Sequence, residues 1–360
     1  MNFNFYLVKS FRILLFPFSL LYGLVIVIRN FLFDKNILKS TRFNMPIINV
    51  GNLAVGGTGK SPMVEYLLRL LQNEFKVATL SRGYKRKTKG YVLAHAGTTA
   101  LEIGDEPMQF HEKFPGVAVA VGEERIVAIP QLLHDKPGTQ VIILDDAFQH
   151  RSITAGLNIM LTDYNNLFTR DMFLPTGDLR DQRSSYKRAD VIVVTKCPQD
   201  LSIEERNSLV KEINPLKHQK VFFTTIAYDI PYHIITKEQR SIKAEDEILL
   251  VCGIANPKPL KQYLVTHAHT YYEQTYGDHH IFTIDDLKEI RSKLEQLNNH
   301  KFIITTEKDA TRLAKFRNEL IDMPLFVLPV RHQFLFGEGT AFDKVVHTFI
   351  SRFSANNKSL

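Results

Sequence analysis

The stretch MPIINVGNLAVGGTGKSPMVEYLLRLL, residues 45–71, decides the fold. An apolar run at residues 46–50 is typical of a short strand, and a glycine-rich turn follows it. Lys60 and Ser61 then open an amphipathic helix whose apolar face carries Met63, Leu67, Leu70 and Leu71. A strand, a glycine-rich loop and a helix in this order are the context that a phosphate-binding loop requires.

The residue types of this loop suit polyphosphate chemistry. Gly56, Gly57 and Gly59 let the backbone take positive φ and bring N–H groups around phosphate oxygens, and the helix N-terminus adds partial positive charge. Lys60 is expected to reach the β- and γ-phosphates, and the Ser61 hydroxyl to bind Mg²⁺. The usual pattern starts with glycine, where this loop has alanine. The competing interpretation is a glycine-rich turn before an ordinary helix, which Gly-Lys-Ser in this context disfavours.

The composition fits a globular protein with an anionic partner. The chain has 360 residues, 44% hydrophobic and 23% charged, enough for one large domain or two moderate ones. Its 45 Lys and Arg against 38 Asp and Glu give a net charge of +7, which suits a phosphorylated substrate, a nucleic acid or an acidic membrane surface alike. Cys197 and Cys252 lack CxxC spacing, so we expect a reducing compartment and no structural zinc.

The N-terminal segment carries an apolar run between basic residues. Residues 13–28 are uncharged, but these sixteen residues are fewer than the roughly 20 that cross a bilayer, and Pro17 interrupts them. No small-residue cleavage site of a signal peptide follows. The flanking basic residues suit anionic headgroups: Lys9, Arg12, Arg29, Lys35, Lys39 and Arg42. We therefore favour a helix on the membrane surface over a true span or a core helix, with the phosphate loop on the cytosolic side.

Two charged segments after the loop each have two interpretations. The basic turn KRKTK, residues 85–89, is either a solvated loop or a site for an anionic headgroup. In GDEP, Asp105 and Glu106 precede Pro107 and a helix. Acidic residues there commonly cap the helix N-terminus, so on pattern alone a capping role and a functional role are about equally supported.

A carboxylate pair follows a buried strand in VIILDDAFQHR, residues 141–151. Four apolar residues bring Asp145 and Asp146 to the end of a parallel strand, at the sheet edge that faces the phosphate loop. One carboxylate there can hold Mg²⁺ through its water shell. Residues 149–151 either orient substrate or cap the strand. In a later loop, Arg180 either neutralises charge on a transferring phosphoryl group or is an ordinary surface arginine.

The second half alternates strand and helix patterns again. Residues 228–246 are polar and broken by proline, which is typical of a domain connection. Asp278, His279 and His280 cluster in a later loop; such histidines are usually solvated, but a nearby carboxylate can orient or charge one. We predict a membrane-associated segment, a P-loop core domain, a linker and a smaller α/β domain, at residues 1–40, 41–227, 228–246 and 247–360.

Eight motifs occur in a characteristic order: GNLAVGGTGKSP, SRGY, GDEP, DDAFQHR, the LRD of DLRDQRS, GIANP, DHH and TEKDA. This order, up to Arg312, resembles that of the tetraacyldisaccharide 4′-kinases of lipid A synthesis. The resemblance implies a P-loop NTPase-like parallel sheet core, an N-terminal membrane helix and a smaller α/β domain joined by a hairpin linker. It implies transfer of the ATP γ-phosphate, with Mg²⁺, to the 4′-hydroxyl of an acylated disaccharide phosphate lipid, giving lipid IVA. It also implies an inner-membrane enzyme, peripheral or monotopic, on the cytoplasmic face.

The same resemblance assigns roles by position. Asp105 is a candidate general base with His279 as its partner, and Lys60 and Arg180 are the cations of the catalytic set. The metal-side residues are Ser61, Asp145 and Asp146. The nucleotide-binding loop comprises Ala54, Val55, Gly56, Gly57, Thr58, Gly59, Lys60 and Ser61. Three positions depart from the family's commoner residues, namely Ala54, Ala147 and Asp181, and TEKDA receives no role.

Two other function classes fit the sequence less well. A membrane-tethered, GTPase-like switch would carry an Asn/Thr-Lys-x-Asp motif after a late strand, but TKCP at residues 195–198 has proline in place of the aspartate. A nucleic-acid binder would fit the net charge of +7 and the KRKTK turn. No recognised binding module accompanies that charge, so we expect no nucleic-acid partner.

Overall fold

The computed structural model describes residues 12–297 and 300–357, and their strands form one sheet of nine and one of five. The strands are β1 (Ile47–Asn52), β2 (Val77–Ser81), β3 (Val92–Leu93), β4 (Ala118–Val121), β5 (Val141–Asp145), β6 (Leu157–Asp163), β7 (Val191–Thr195), β8 (Lys220–Tyr228), β9 (Tyr232–His233), β10 (Glu247–Cys252), β11 (Thr270–Thr275), β12 (Lys301–Thr306), β13 (Leu325–Leu328) and β14 (Val330–Phe334). The α-helices are α1 (Phe16–Asp34), α2 (Lys60–Leu71), α3 (Ala100–Ile103), α4 (Asp105–Lys113), α5 (Arg125–Asp135), α6 (Ile203–Ile213), α7 (Lys258–His267), α8 (Ile284–Glu295), α9 (Glu307–Leu313), α10 (Arg317–Leu320) and α11 (Gly339–Asn357).

The nine-stranded sheet has the order β14-β8-β7-β6-β1-β5-β2-β4-β3. Its inner strands pair in parallel, and the two outermost strands, β3 and β14, pair antiparallel. Every residue of β1, β2, β5 and β7 is buried, as expected for parallel strands covered on both faces. The loops that follow β1 and β5 therefore leave the sheet side by side at its carboxyl edge. The predicted α/β fold class is confirmed.

The N-terminal helix is longer than predicted. Pro17 does not interrupt it but lies in its first turn, where a missing N–H costs no hydrogen bond. With a preceding 3₁₀ turn, the helix runs from Ile13 to Asp34, 22 residues, which by length and composition is enough to cross a membrane. Its buried residues are Ser19, Gly23, Asn30 and Phe33, whereas most of its large apolar side chains are exposed. Lys9 lies outside the described residues.

The five-stranded sheet has the order β11-β10-β12-β13-β9, parallel except for β9. Here the structure differs from the predicted division, because β9 comes from the expected linker and residues 330–357 return to the first sheet. β14 covers the edge of β8, and α11 packs Phe342, Val346 and Ile350 into the core around α2. An open sheet edge and an unpartnered apolar helix face are both unfavourable, which explains the return.

The two sheets are joined where α9 of the second packs against α4 of the first. Asp105 is the first residue of α4 and Glu307 the first of α9. We call this contact between α4 and α9 the seam.

Candidate active site

The glycine-rich loop joins β1 to α2 as the sequence predicts. Gly56 and Gly59 have φ of 101° and 85°, the left-handed region that glycine adopts without strain. Thr58 is held from two sides: Asn52 Nδ2 donates to its hydroxyl (2.9 Å), and Thr195 Oγ1 donates to its carbonyl (2.9 Å). Val55 N donates to the carbonyl of residue 178 (2.8 Å), so the start of the loop is tied to the segment that carries Arg180.

His332 on β14 supports the loop from behind, and sequence analysis missed it. Its Nε2 donates to the Gly59 carbonyl (2.8 Å), and its Nδ1 accepts from Thr224 Oγ1 (2.9 Å). The assignment follows because a carbonyl can only accept and a neutral imidazole has one donor and one acceptor. Burial lowers the pKa of His332 to about 4, so the ring is neutral near pH 7. A Cβ on Gly59 would lie 2.9 Å from the ring, so space as well as φ requires glycine.

Lys60, Arg180 and Asp146 form an ion-paired cluster beside the loop. Lys60 Nζ lies 3.7 Å from Asp146 Oδ1, and Arg180 donates to both carboxylate oxygens, with Nη1 3.0 Å from Oδ2. Burial raises the pKa of Asp146, but Lys60 and Arg180 outweigh it and bring the pKa to about 2. Burial also lowers the pKa of the Lys60 ammonium, against the opposing effect of Asp146. The cluster therefore holds one fully ionised carboxylate between two cations.

Asp145 lies in a very different environment. It is buried, Ser81 Oγ donates to its Oδ2 (3.3 Å), and its Oδ1 has no donor within the described part of the chain. Burial and the neighbouring Asp146 raise its pKa to about 7. A buried carboxylate with an unpaired oxygen is unfavourable unless a positive charge lies next to it, and a divalent cation would supply that charge. Together with Asp146 and the half-buried Ser61 at the start of α2, these groups fit Mg²⁺.

Arg125 is a third cation near these carboxylates, besides Lys60 and Arg180, and sequence analysis assigned it no role. It is 1% exposed, and its Nε and Nη2 have no partner among the residues described. Burial lowers its pKa to about 10, while Asp145 and Asp146 oppose that shift. A buried, half-paired guanidinium beside two carboxylates suits an anionic ligand.

Asp105 and His279, 174 residues apart, meet across the seam. His279 Nδ1 lies 2.9 Å from Asp105 Oδ2, and the ring packs edge-on against Tyr84 of SRGY, with centroids 5.9 Å apart. His280 does not take part, because its Nε2 pairs with Asp286 (2.9 Å). The contact supports the functional interpretation of Asp105 over a simple helix cap.

Two charged residues of the seam, Glu106 and Lys308, affect pKa values on the loop side of the site. Besides burial and Asp146, Glu106 raises the pKa of Asp145, and besides burial, Lys308 on α9 lowers that of Lys60. The structure thus brings Lys60, Arg180 and Asp146 into direct contact beside the loop, and it joins Asp105 to His279 across the seam.

The segment that carries Arg180 also holds the N-terminal helix. Tyr22 of α1 donates its hydroxyl to the Arg180 carbonyl (3.1 Å), and Asn30 Nδ2 donates to Asp181 Oδ1 (2.7 Å). Asp181 is 2% exposed and also accepts from Gln182 N, Ser185 Oγ and Arg188 Nη2. Its carboxylate is therefore saturated within the fold, which indicates a structural position.

The contacts of residues 149–151 bear on their two interpretations, orienting the substrate or capping the strand. Gln149 Nε2 donates to the Asn52 carbonyl (2.6 Å), and Arg151 pairs with Asp34 of α1 (2.5 Å), so both have structural contacts. His150 lies in the field of Arg125, and burial together with that charge lowers its pKa to about 4.

Comparison with known proteins gives a consistent result. A family model described as LpxK, tetraacyldisaccharide-1-P 4′-kinase, matches residues 11–351. Relatives named tetraacyldisaccharide 4′-kinase include one from Flavobacterium johnsoniae, 48% identical over 328 residues (90% of this chain, 93% of the relative). Another, from Phocaeicola vulgatus, is 42% identical over 352 residues (95% and 96%). The crystal structure of the "apo" form of LpxK from Aquifex aeolicus in complex with ATP is similar, with a TM-score of 0.73 and 28% identity, covering 94% of this chain and 99% of that one.

Proposed function

This chain belongs to the tetraacyldisaccharide-1-P 4′-kinase (LpxK) family, and we propose how its residues carry out the reaction of that family. It is an ATP-dependent kinase of lipid A biosynthesis that phosphorylates a hydroxyl, the 4′-hydroxyl of a tetraacyldisaccharide 1-phosphate, to give lipid IVA. The observation that carries the proposed mechanism is the 2.9 Å contact between His279 and Asp105 across the seam. The ATP in the Aquifex aeolicus complex supports ATP over the GTP of a switch protein.

Charge neutralisation is the main task of the loop side of the site. In this structure Asp146 holds both Lys60 and Arg180, so the phosphates of ATP compete with Asp146 for these cations. Ser61, Asp145 and Asp146 would hold Mg²⁺, which adds positive charge at the β- and γ-phosphates. Arg125 adds a further buried cation. These groups stabilise the charge of the transferring phosphoryl group in a water-poor site.

Proton transfer is the task of the seam side. Asp105 accepts the proton of the 4′-hydroxyl, and His279 orients the Asp105 carboxylate through its Nδ1. In the absence of covalent catalysis, alignment of the hydroxyl with the β–γ bond supplies much of the rate. That alignment requires both sheets, because Asp105 and His279 come from opposite sides of the seam.

A kinase assay with a matched control tests these roles. Purified protein is incubated with labelled ATP and monophosphorylated lipid precursor, and the bisphosphorylated product is measured. D105A is expected to lose transfer by about 10²- to 10⁴-fold, the usual contribution of a general base, and to keep ATP binding. D278N, which changes an exposed neighbour of His279, is expected to keep most of the activity. Unchanged turnover in D105A would remove Asp105 as the base.

We also infer that α1 associates the enzyme with the inner membrane on the cytoplasmic face. Exposed apolar side chains on α1 and the 3₁₀ turn before it include Leu14, Phe18, Leu21 and Val25, between 58% and 71% exposed. Such a surface in water is unfavourable, and a lipid interface would cover it. The acyl chains of the substrate would stay beside α1 while the disaccharide enters the site. We expect no nucleic-acid partner.

A further inference from the structure

The TEKDA motif, residues 306–310, lies at the start of α9 and has no part in the mechanism above. Two residues beyond it, Arg312 extends from α9 across the seam to Asp105. We propose that Arg312 is a positioning residue for phosphoryl transfer, which fixes one oxygen of Asp105 and leaves the other free for the substrate hydroxyl. The proposal rests on the role of Asp105 as the base.

Three donors converge on a single oxygen of Asp105. Arg312 Nη2 and Nε lie 2.7 and 3.0 Å from Oδ2, and His279 Nδ1 lies 2.9 Å from it. Oδ1 receives no hydrogen bond from any described residue. Since Oδ2 is fully occupied, Oδ1 is the acceptor that remains for a hydroxyl proton. Arg312 Nη2 also lies 3.2 Å from His279 Nδ1, so the three groups form one cluster.

The Arg312 guanidinium is itself rigidly held. The residue is 8% exposed, and its Nη1 donates to Asp309 Oδ1 (3.1 Å) and to the Gly253 carbonyl (3.2 Å). Asp309 is fully buried and accepts from Gly253 N (3.0 Å) and Thr306 Oγ1 (2.7 Å). The guanidinium is a rigid planar group that is paired on both edges, so it orients Asp105 more strictly than a lysine would. TEKDA and the glycine of GIANP thereby gain a function as the support of this fork.

The seam contains neighbouring ion pairs that serve as controls. Lys308 Nζ pairs with Glu106 Oε1 (2.7 Å), one turn or less from Arg312 and Asp105, yet it does not touch the Asp105 carboxylate. Removing Lys308 therefore weakens the seam and leaves the three donors on Asp105 in place. A loss of rate caused only by a weaker seam would therefore appear whether Arg312 or Lys308 is replaced.

The test measures kcat, KM for ATP, KM for lipid and Tm of the full chain carrying R312M, R312K, D309N or K308M. R312M is expected to lower kcat about 10- to 100-fold, in the range caused by a misplaced catalytic group, with KM for ATP within about twofold of wild type. R312K should recover only part of the rate, since lysine lacks the fork, and D309N should fall between R312M and wild type. K308M is expected to lower Tm more than kcat.

A double-mutant cycle separates positioning from stability. D105N retains the residual rate that the cations supply, and in that background R312M is expected to change kcat by less than about twofold, because there is no base to position. An equal kcat loss in R312M and K308M, or the full R312M loss in the D105N background, would overturn the proposal. If D105N keeps wild-type kcat, the base assignment itself fails. If D105N loses activity and R312M does not, only the role of Arg312 fails.

Discussion

Replacing His332 by leucine tests whether the C-terminal strand controls the nucleotide loop. H332L keeps most of the side-chain volume and removes both hydrogen bonds of the imidazole. The Gly59 carbonyl retains Met63 N as a donor at 3.2 Å, so its loss is limited to about 1 kcal/mol. Thr224, 0% exposed, loses its partner in a buried place, which costs about 1–3 kcal/mol. We expect H332L to be less stable by about 2–4 kcal/mol.

Only part of this loss falls on nucleotide binding. The bond from Nε2 to Gly59 fixes the last residue before α2, so its loss of about 1 kcal/mol corresponds to a roughly fivefold higher KM for ATP. T224V is the matched control, because it removes the other bond of the imidazole and leaves the bond to Gly59. Both variants should lose stability in denaturant titrations, whereas only H332L should raise KM for ATP. KM for the lipid should not change in either.

The same histidine predicts an acid dependence of stability. Its pKa in the folded chain is lowered by burial to about 4, below the ordinary value near 6.5, so the neutral form is favoured by the fold. The stability it contributes is complete above about pH 6.5 and is lost as the pH falls toward 4, by up to about 3 kcal/mol. H332L should show a weaker decline over this range. If KM for ATP in H332L stays within about twofold of wild type, or equals that of T224V, the histidine supports the sheet and not the loop.

Two further predictions address the seam and the membrane. Burial and the nearby Glu65 raise the pKa of Glu307 from the ordinary value of 4.5 to about 7, so its stabilising contribution is complete below about pH 4.5 and is lost as the pH rises to about 7. Compared with E307Q, the wild type should lose Tm between about pH 4.5 and 7, and the same pH dependence in both proteins would contradict this. The double variant L21E/V25E, which charges the exposed face of α1, should reduce co-sedimentation with anionic lipid vesicles at least about tenfold, since each buried charge is costly in lipid. The control is I321E, which changes an exposed apolar residue away from α1. Equal sedimentation of the wild type and both variants would refute the role of α1.

The glycine-rich loop after β1 and the carboxylates at the end of β5 were predictable because their signals are local. A buried parallel strand reads as an apolar run, glycines mark the turn that needs positive φ, and a carboxylate at the strand end follows directly in the chain. Asp105 was different. Its pattern fitted a helix cap as well as a base, and only the order of motifs across the whole chain favoured the second interpretation.

The N-terminal helix shows the limit of a local rule. Proline usually ends a helix, so Pro17 suggested an interruption, yet at the first turn proline is tolerated. Whether residue 17 lies inside a helix or at its start depends on where the chain docks. Here Ser19, Tyr22 and Asn30 bond to the segment that carries Arg180, and these partners lie more than a hundred residues away.

The sequence by itself determined the class of fold, the glycine-rich loop after β1 and the carboxylates at the end of β5, because each depends on residues within one strand, turn and helix. The tertiary structure alone decided that β14 returns to the first sheet and places His332, 273 residues away, against Gly59. It likewise placed Arg312 on Asp105 across 207 residues. The physical reason is that such contacts follow from which strand covers a free edge and which helix faces meet, and neither leaves a periodic pattern in the residues that finally touch.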